Sequence, residues 1–152
     1  MRLDPAQSRR RLLAEPALRL GTSGSDAQPH IVPVTFANDG DVIYVAVDHK
    51  PKTTTALRRL RNIRENPQVC FLADHYDDDW SRLWWVRADA IARVVDGATE
   101  HSRAVELLSE RYRQYRTDPP TGPVVRAEVV AWSGWQSAAD PPGTDEEAGT
   151  GP

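Results

Sequence analysis

Apolar and polar residues alternate with a period of two over much of this chain, which is typical of β-strands. Six segments have this pattern, at 17–23, 30–36, 42–47, 68–75, 82–95 and 123–133. The second and third segments flank the turn sequence Asn-Asp-Gly-Asp, and we expect them to pair as a hairpin. Pro33 lacks a backbone N–H, so it indicates an edge strand, a bulge or a ligand-facing backbone.

A helical period replaces this alternation in other parts of the chain. Leu57, Leu60 and Ile63 recur every three residues with arginines between them, which predicts an amphipathic helix from about residue 53 to 66. Asp4 followed by Pro5 has the form of a helix N-cap and first turn. Including these, the pattern predicts helices at about 5–14, 53–66 and 99–115.

The order of these elements limits the fold class. Six strands and two or three helices occur without regular strand–helix alternation, which favours a mainly antiparallel α+β barrel with flanking helices. A doubly wound parallel sheet is the weaker alternative, because no glycine-rich strand-to-helix turn is present. We expect residues 1–136 to form one domain and the acidic, proline- and glycine-rich segment 137–152 to be a disordered tail.

Charge and cysteine content narrow the function classes. Four of the 22 acidic residues lie in the tail, so the remaining chain has 18 acidic against 19 basic residues, a near-neutral balance untypical of nucleic-acid binding. No apolar run approaches the roughly 20 residues of a membrane span, so we expect no membrane insertion. The one cysteine excludes an internal disulfide and is consistent with the cytoplasm.

The two lysines of the chain lie at one corner. Only Lys50 and Lys52 among the 19 basic side chains are lysines, and they flank Pro51 between a predicted strand and a predicted helix. Residues two apart in an extended segment point to the same side, so both ammonium groups can reach one anion. The corner is therefore a candidate phosphate clamp, and an ordinary solvated turn is the alternative.

The helix after this corner extends the same charge. Thr53 and the free N–H groups of the helix N-terminus favour an anion. Arg58, Arg59 and Arg61 continue the positive charge along the helix, although a solvated helix face is an equally good interpretation. The segment as a whole is suited to an anion with more than one charged group.

The sequence gives less support for a metal site, a reactive cysteine or a catalytic acid. Segment 74–79 contains four aspartates and a histidine but lacks zinc or calcium-loop spacing, so we expect a solvated loop and no metal site. Cys70 lies in an apolar strand, where we expect a core thiol. His30, Tyr44 and His75 are possible proton donors, but none is required, and we assign no catalytic residue from the sequence.

Seven segments, in this order and spacing, resemble the split-barrel flavin and deazaflavin family related to pyridoxamine phosphate oxidase. They are 20–22 (LGT), 29–36 (PHIVPVTF), 44–53 (YVAVDHKPKT), 57–67 (LRRLRNIRENP), 74–80 (DHYDDDW), 83–93 (LWWVRADAIAR) and 129–135 (VVAWSGW). The resemblance is greatest to the branch of small F420-dependent oxidoreductases. It implies a six-stranded antiparallel split β-barrel with flanking helices.

The resemblance also implies a cofactor site. The strand beside the isoalloxazine-like ring would consist of Val32, Pro33, Val34 and Thr35. The cofactor phosphate would contact Lys50, Lys52 and Thr53, with Arg58 next to them. Family members are usually homodimers with the cofactor at the subunit interface, so three tryptophans could close the pocket from the partner: Trp80, Trp84 and Trp132.

The implied activity is hydride transfer from reduced F420 to a small electron-poor substrate such as an enone or a quinone. The deazaflavin coenzyme has a glutamate tail besides its phosphate, and the arginines after the lysine corner suit this longer anion better than FMN. An FMN-dependent oxidase or reductase is the first alternative. A non-catalytic protein that stores or carries F420 is the second.

Overall fold

The computed structural model of the protein describes residues 1–47 and 54–138. The lysine corner and most of the predicted tail lie outside these residues. Helices and strands alternate irregularly along the chain: β1 (Arg2–Leu3), α1 (Pro5–Leu13), β2 (Leu18–Ser23), β3 (Pro29–Val34), β4 (Ala37–Asp39), β5 (Val42–Ala46), α2 (Thr54–Glu65), β6 (Gln68–His75), a 3₁₀ turn (Trp80–Arg82), β7 (Trp84–Val94), α3 (Ala98–Arg111), α4 (Arg113–Thr117) and β8 (Val124–Gln136).

One antiparallel sheet dominates the fold. Its strand order is β3-β2-β6-β7-β8-β5-β4. The short β1 lies off this path and pairs with residues near the C-terminal end of β8. The sheet curls into a half-barrel with helices on its flanks, so the predicted fold class is confirmed. All six predicted strands are present, and the two strands that were not predicted, β1 and β4, have only two and three residues.

The predicted hairpin between 30–36 and 42–47 is wrong. β3 pairs with β2, with Val32 opposite Leu20, whereas β5 pairs with β4 and β8. The turn at 38–41 does form a hairpin, but its first strand is the short β4. Gly40 has a φ of 57° in this turn, a conformation that glycine adopts without steric cost. Local alternation predicted the strands but not the partner of each.

The first helix begins as its sequence predicts. Asp4 accepts a hydrogen bond from the Gln7 backbone N–H at 2.8 Å, and the Gln7 side chain accepts one from the Asp4 N–H at 3.0 Å. This reciprocal pair is a capping box, which satisfies two backbone donors at the helix start. α1 then packs on β7 and β8 with Leu12 fully buried.

The two faces of the sheet differ in burial. Alternate residues of β2, β6 and β7 are buried in a core that includes Leu18, Leu20, Phe71, Val86 and Ala88. The residues between them point outward from the barrel and remain at least partly exposed. Among the described residues, no helix is long and apolar enough to cross a membrane.

Candidate functional site

Strand β3 is an edge strand, and it contains most of the predicted ring-binding segment. β3 pairs with β2 on one side, and no other strand in the described part of the chain pairs with its second side. Val32 packs against the core, Val34 is buried, Pro33 is exposed, and Thr35 follows directly. The unpaired side leaves backbone groups that can bind a ligand.

A group of polar atoms without partners lies near the first residues of β3. Nδ1 of His30 and Nε of both Arg58 and Arg59 are buried, yet none has a hydrogen-bond partner among the described residues. Burial and the charges of Arg58 and Arg59 lower the pKa of His30. Burial also lowers the pKa of Arg59. Buried cations are unfavourable unless an anion pairs with them, so this group is suited to an anionic ligand.

The C-terminal half of α2 makes polar contacts with β2 and with the β2–β3 connection. Asn62 is 1% exposed and donates to Thr22 Oγ1 at 3.1 Å. Glu65 Oε2 accepts hydrogen bonds from the backbone N–H and the hydroxyl of Ser25, which lower its pKa. A Cβ at Gly24 would lie 2.5 Å from Glu65 Oε2 and 2.8 Å from Asn62 Oδ1, so a larger residue there would displace these side chains. These contacts hold the C-terminal half of α2 against β2 and the start of the β2–β3 connection.

Two tyrosines fix the other end of β3. The hydroxyl oxygens of Thr35 and Tyr115 are 2.8 Å apart. The backbone N–H of Phe36 donates to the Tyr112 hydroxyl at 3.0 Å, and that hydroxyl donates to the Pro16 carbonyl at 2.9 Å. Just beyond β3, Tyr112, which lies between α3 and α4, thus satisfies the Phe36 backbone donor, and Tyr115 of α4 contacts the Thr35 side chain.

An open pocket lies on the outward face beside β3. Its volume is about 380 Å³, and its lining includes Gly21, His30, Ile31 and Cys70. Cys70 is half-buried rather than a core residue, because β6 turns this position outward. Its sulfur would lie 3.1 Å from a Cβ at Gly21. The expectation of a core thiol was wrong because alternation along β6 places Val69 and Phe71 inside instead.

The three predicted tryptophans occupy different environments. Trp80 is 69% exposed in the connection between β6 and β7. Trp84 and Trp132 pack against the core, beneath the guanidinium groups of Arg11 at 4.8 Å and Arg9 at 5.8 Å respectively. Their proposed contact with a partner's cofactor stays a prediction.

Some of the predicted site residues lie in the part of the chain that the structure describes, and others lie outside it. Val32, Pro33, Val34 and Thr35 lie along one sheet edge, and Arg58 lies near its beginning. The predicted phosphate ligands Lys50, Lys52 and Thr53 are outside the described residues. Sequence reasoning did not connect Tyr115 with Thr35, because 80 residues separate them and no local pattern relates a tyrosine in a helix to a strand edge.

Comparison with protein families identifies the class. Residues 5–136 match the pyridoxamine 5'-phosphate oxidase family model, so the chain belongs to that family. This agrees with the resemblance in the sequence and with the split half-barrel fold. No curated protein matches the sequence.

Solved structures share the fold. A conserved hypothetical protein from Mycobacterium tuberculosis has a TM-score of 0.67 at 21% identity, covering 88% of this chain and 85% of that one. The FAD binding protein from Mycobacterium smegmatis has a TM-score of 0.61 at 19% identity, with coverages of 89% and 96%. HutZ, the heme storage protein from Vibrio cholerae, has a TM-score of 0.63 at 20% identity, with coverages of 86% and 92%.

Proposed function

We propose that the protein is an oxidoreductase that binds reduced F420 and transfers a hydride to a small electron-poor substrate. The observation that carries this proposal is a group of three buried nitrogen atoms without hydrogen-bond partners among the described residues, at the start of an open sheet edge: Nε of the two cationic residues Arg58 and Arg59, and Nδ1 of His30. The family also supports it, because the resemblance found in the sequence implies a flavin or deazaflavin cofactor.

The dimensions of the edge fit a ribityl phosphate joined to three fused rings. His30 and Thr35 are five residues apart, which corresponds to about 17 Å along an extended strand. The cofactor phosphate would lie near the cations at the first end, and the rings would lie along Val32–Thr35 toward the second. Backbone N–H and C=O groups on the unpaired side of β3 would then contact the ring edge.

The balance of charge favours F420 over FMN. FMN has one phosphate, whereas F420 also has a carboxylate-rich tail. Arg58 and Arg59 come after the predicted lysine clamp in sequence and retain unsatisfied donors among the described residues. Arginine forms directed hydrogen bonds with both carboxylates and phosphates. We therefore expect the tail of F420 to contribute to binding through these arginines.

The partner we propose is a second copy of this chain. The outward face of the sheet carries large apolar side chains that are at least a third exposed: Ile31, Leu72, Trp85, Ile91, Val130 and Trp135. Trp85 and Trp135 are directly opposite each other on β7 and β8. Charged residues such as Arg87 and Asp89 lie between these apolar side chains, and a face that combines exposed aromatic residues with arginine is typical of protein interfaces. The outward face adjoins β3, so a cofactor on this edge would lie close to the partner subunit.

Titration of the protein with F420, with the same deazaflavin lacking phosphate and tail, and with FMN tests the cofactor. Tryptophan fluorescence is the readout, since the chain has five tryptophans. We expect F420 to bind more tightly than either of the others. Arg58→Gln with Arg59→Gln should weaken F420 binding at least tenfold, which is about 1.4 kcal/mol. Binding of the phosphate-free deazaflavin should stay unchanged.

Arg64→Gln is the matched control, because Arg64 is exposed near the end of the same helix. Equal losses in the control and in the double variant would indicate general charge attraction rather than a site. Tighter binding of FMN than of F420 would transfer the assignment to a flavin enzyme. Absence of any turnover of reduced F420 with enones and quinones, despite tight binding, would favour a carrier.

The homodimer is tested by Leu72→Glu, which places a charge on the outward apolar face without touching the core. We expect this variant to elute as a monomer in size-exclusion chromatography, while the wild type elutes as a dimer. Gln114→Glu adds the same charge on exposed α4 and serves as the control. A wild type that is monomeric at micromolar concentration contradicts this assignment.

A further inference from the structure

We propose that the hydroxyl groups of Thr35 and Tyr115 together form the proton donor of the proposed reaction, polarising the substrate carbonyl. This inference rests on the proposed function. It assigns a role in the chemistry to a tyrosine from α4, an element that sequence analysis treated only as the end of a helix.

The number of protons in this pair makes it a donor. Thr35 and Tyr115 each have one hydroxyl proton, and the 2.8 Å contact between their oxygens uses one of the two. Neither oxygen has another hydrogen-bond partner in the described part of the chain. Whichever group donates within the pair, the other has a proton left to donate outward. The pair therefore offers one hydrogen bond to a ligand in either orientation.

Neighbouring contacts hold this donor in place. The backbone carbonyl of Tyr115 accepts a hydrogen bond from Ser109 at 3.2 Å, which ties α4 to α3. The ring of Tyr115 packs edge-on against that of Tyr112, with 5.6 Å between the ring centroids. Tyr112 in turn is anchored to Phe36 and Pro16. A donor fixed in this way loses little conformational freedom when it meets a substrate oxygen.

The position of the pair matches the chemistry that it would perform. Thr35 is at the end of β3 opposite the His30 group, which would bind the cofactor phosphate. The reacting part of the ring would therefore lie nearer Thr35 than His30. A substrate carbonyl over this part of the ring would be within reach of the spare hydroxyl proton.

The reaction balances with groups already named. A hydride from reduced F420, which would leave as oxidised F420, would add to the β-carbon of an α,β-unsaturated ketone, and the C=C electron pair would move to form an enolate. The hydrogen bond to the carbonyl oxygen stabilises the negative charge that develops there. The spare proton would then pass from the Thr35–Tyr115 pair to the enolate oxygen, and the enol would become the saturated ketone when water protonates its α-carbon and takes up the hydroxyl proton. Water returns a proton to the pair.

A spectroscopic experiment tests the hydrogen bond without turnover. Cyclohex-2-enone is bound to the protein loaded with oxidised F420, which has no hydride to give, and the carbonyl stretch is followed in the infrared. We expect a shift to lower wavenumber in the wild type, and the free value in the double variant Thr35→Val with Tyr115→Phe, which removes both hydroxyl protons. Each single variant keeps one hydroxyl proton, so Thr35→Ser and the single variants should retain a shift. An unshifted carbonyl in the wild type, or a shift that persists in the double variant, overturns the proposal.

Kinetics provide the second readout. The double variant Thr35→Val with Tyr115→Phe should lower kcat for cyclohex-2-enone about 100-fold, within the usual range for a general acid, while the Kd for F420 stays within twofold. Tyr76→Phe is the control, because Tyr76 is 76% exposed and its hydroxyl makes no hydrogen bond with the described residues. If the wild type fails to bind F420, the proposed function fails. If it reduces cyclohex-2-enone and the double variant does so equally fast, only the present inference fails.

Discussion

The backbone N–H of Phe36 donates to the hydroxyl of Tyr112 at 3.0 Å, although 76 residues separate the two in sequence. Phe36 is fully buried, so its N–H has no access to water as an alternative partner. Tyr112, which lies between α3 and α4, thus provides the acceptor for a buried backbone donor in the connection between β3 and β4. This contact fixes the course of the chain just beyond the end of β3.

Tyr112→Phe is therefore expected to destabilise the fold. The change leaves the Phe36 N–H without an acceptor and the Pro16 carbonyl without a donor, at a cost of about 1–3 kcal/mol. Urea unfolding followed by circular dichroism measures the difference. Tyr76→Phe, at a position that is 76% exposed, should change the free energy of unfolding by no more than about 0.5 kcal/mol. An unaffected Tyr112→Phe variant would show that the N–H finds another partner.

Glu100 should stabilise the protein in a pH-dependent way. Its carboxylate contacts Arg93 at 2.7 Å, Tyr44 at 3.1 Å and Arg126 at 3.3 Å. Burial raises the pKa of Glu100, but the hydrogen bonds from Arg93 and Tyr44 and the charges of Arg93 and Arg126 outweigh it, so the pKa is lowered.

Because the folded-state pKa is below that of the unfolded chain, the stabilisation is complete above the unfolded value and is lost as pH falls through the folded value. Glu100→Gln should lower the free energy of unfolding by about 1 kcal/mol near pH 7, a figure reduced for partial exposure. The difference should shrink in acid. Urea titrations of both proteins at several pH values measure it, and a difference that grows as pH falls contradicts the assignment.

Gly134 is expected to tolerate no side chain. A Cβ there would lie 2.8 Å from Ser8 Oγ, 2.9 Å from Val86 Cγ1 and 3.0 Å from the Trp85 carbonyl oxygen. Gly134→Ala should therefore force α1 and β7 away from β8 and cost about 1–3 kcal/mol. Gly97→Ala is the control, because a Cβ at that position has nothing within 4 Å. Thermal unfolding compares the two, and equal melting temperatures would contradict close packing at Gly134.

Asp4 should account for much of the stability of the first helix turn. Its carboxylate accepts the Gln7 N–H, so Asp4→Ala is expected to cost about 1 kcal/mol. Asp78→Ala removes an exposed carboxylate that makes no hydrogen bond or ion pair with the described residues, and it controls for the loss of charge. Hydrogen exchange of the α1 amides locates the effect, which should be confined to the N-terminal turns.

The sequence by itself determined the elements and the family. Alternation in 68–75 and 82–95 predicted β6 and β7 because a residue's neighbours in the chain decide which face it can occupy. Asp4 and Pro5 predicted the start of α1 because capping is a local interaction. The order of segments led to the family that the match over residues 5–136 confirms.

Only the tertiary structure decided which strands pair and which side chains meet. β3 pairs with β2, which places the buried side chains of Val34 and Leu18 opposite each other, while the turn at 38–41 joins the short β4 to β5. His30 meets Arg58 and Arg59, and Thr35 meets Tyr115, through contacts between residues that are distant in sequence. Such contacts depend on the register and curvature of the whole sheet, and no local pattern encodes them. The chemistry of the proposed site therefore comes from the fold, while its individual residues are visible in the sequence.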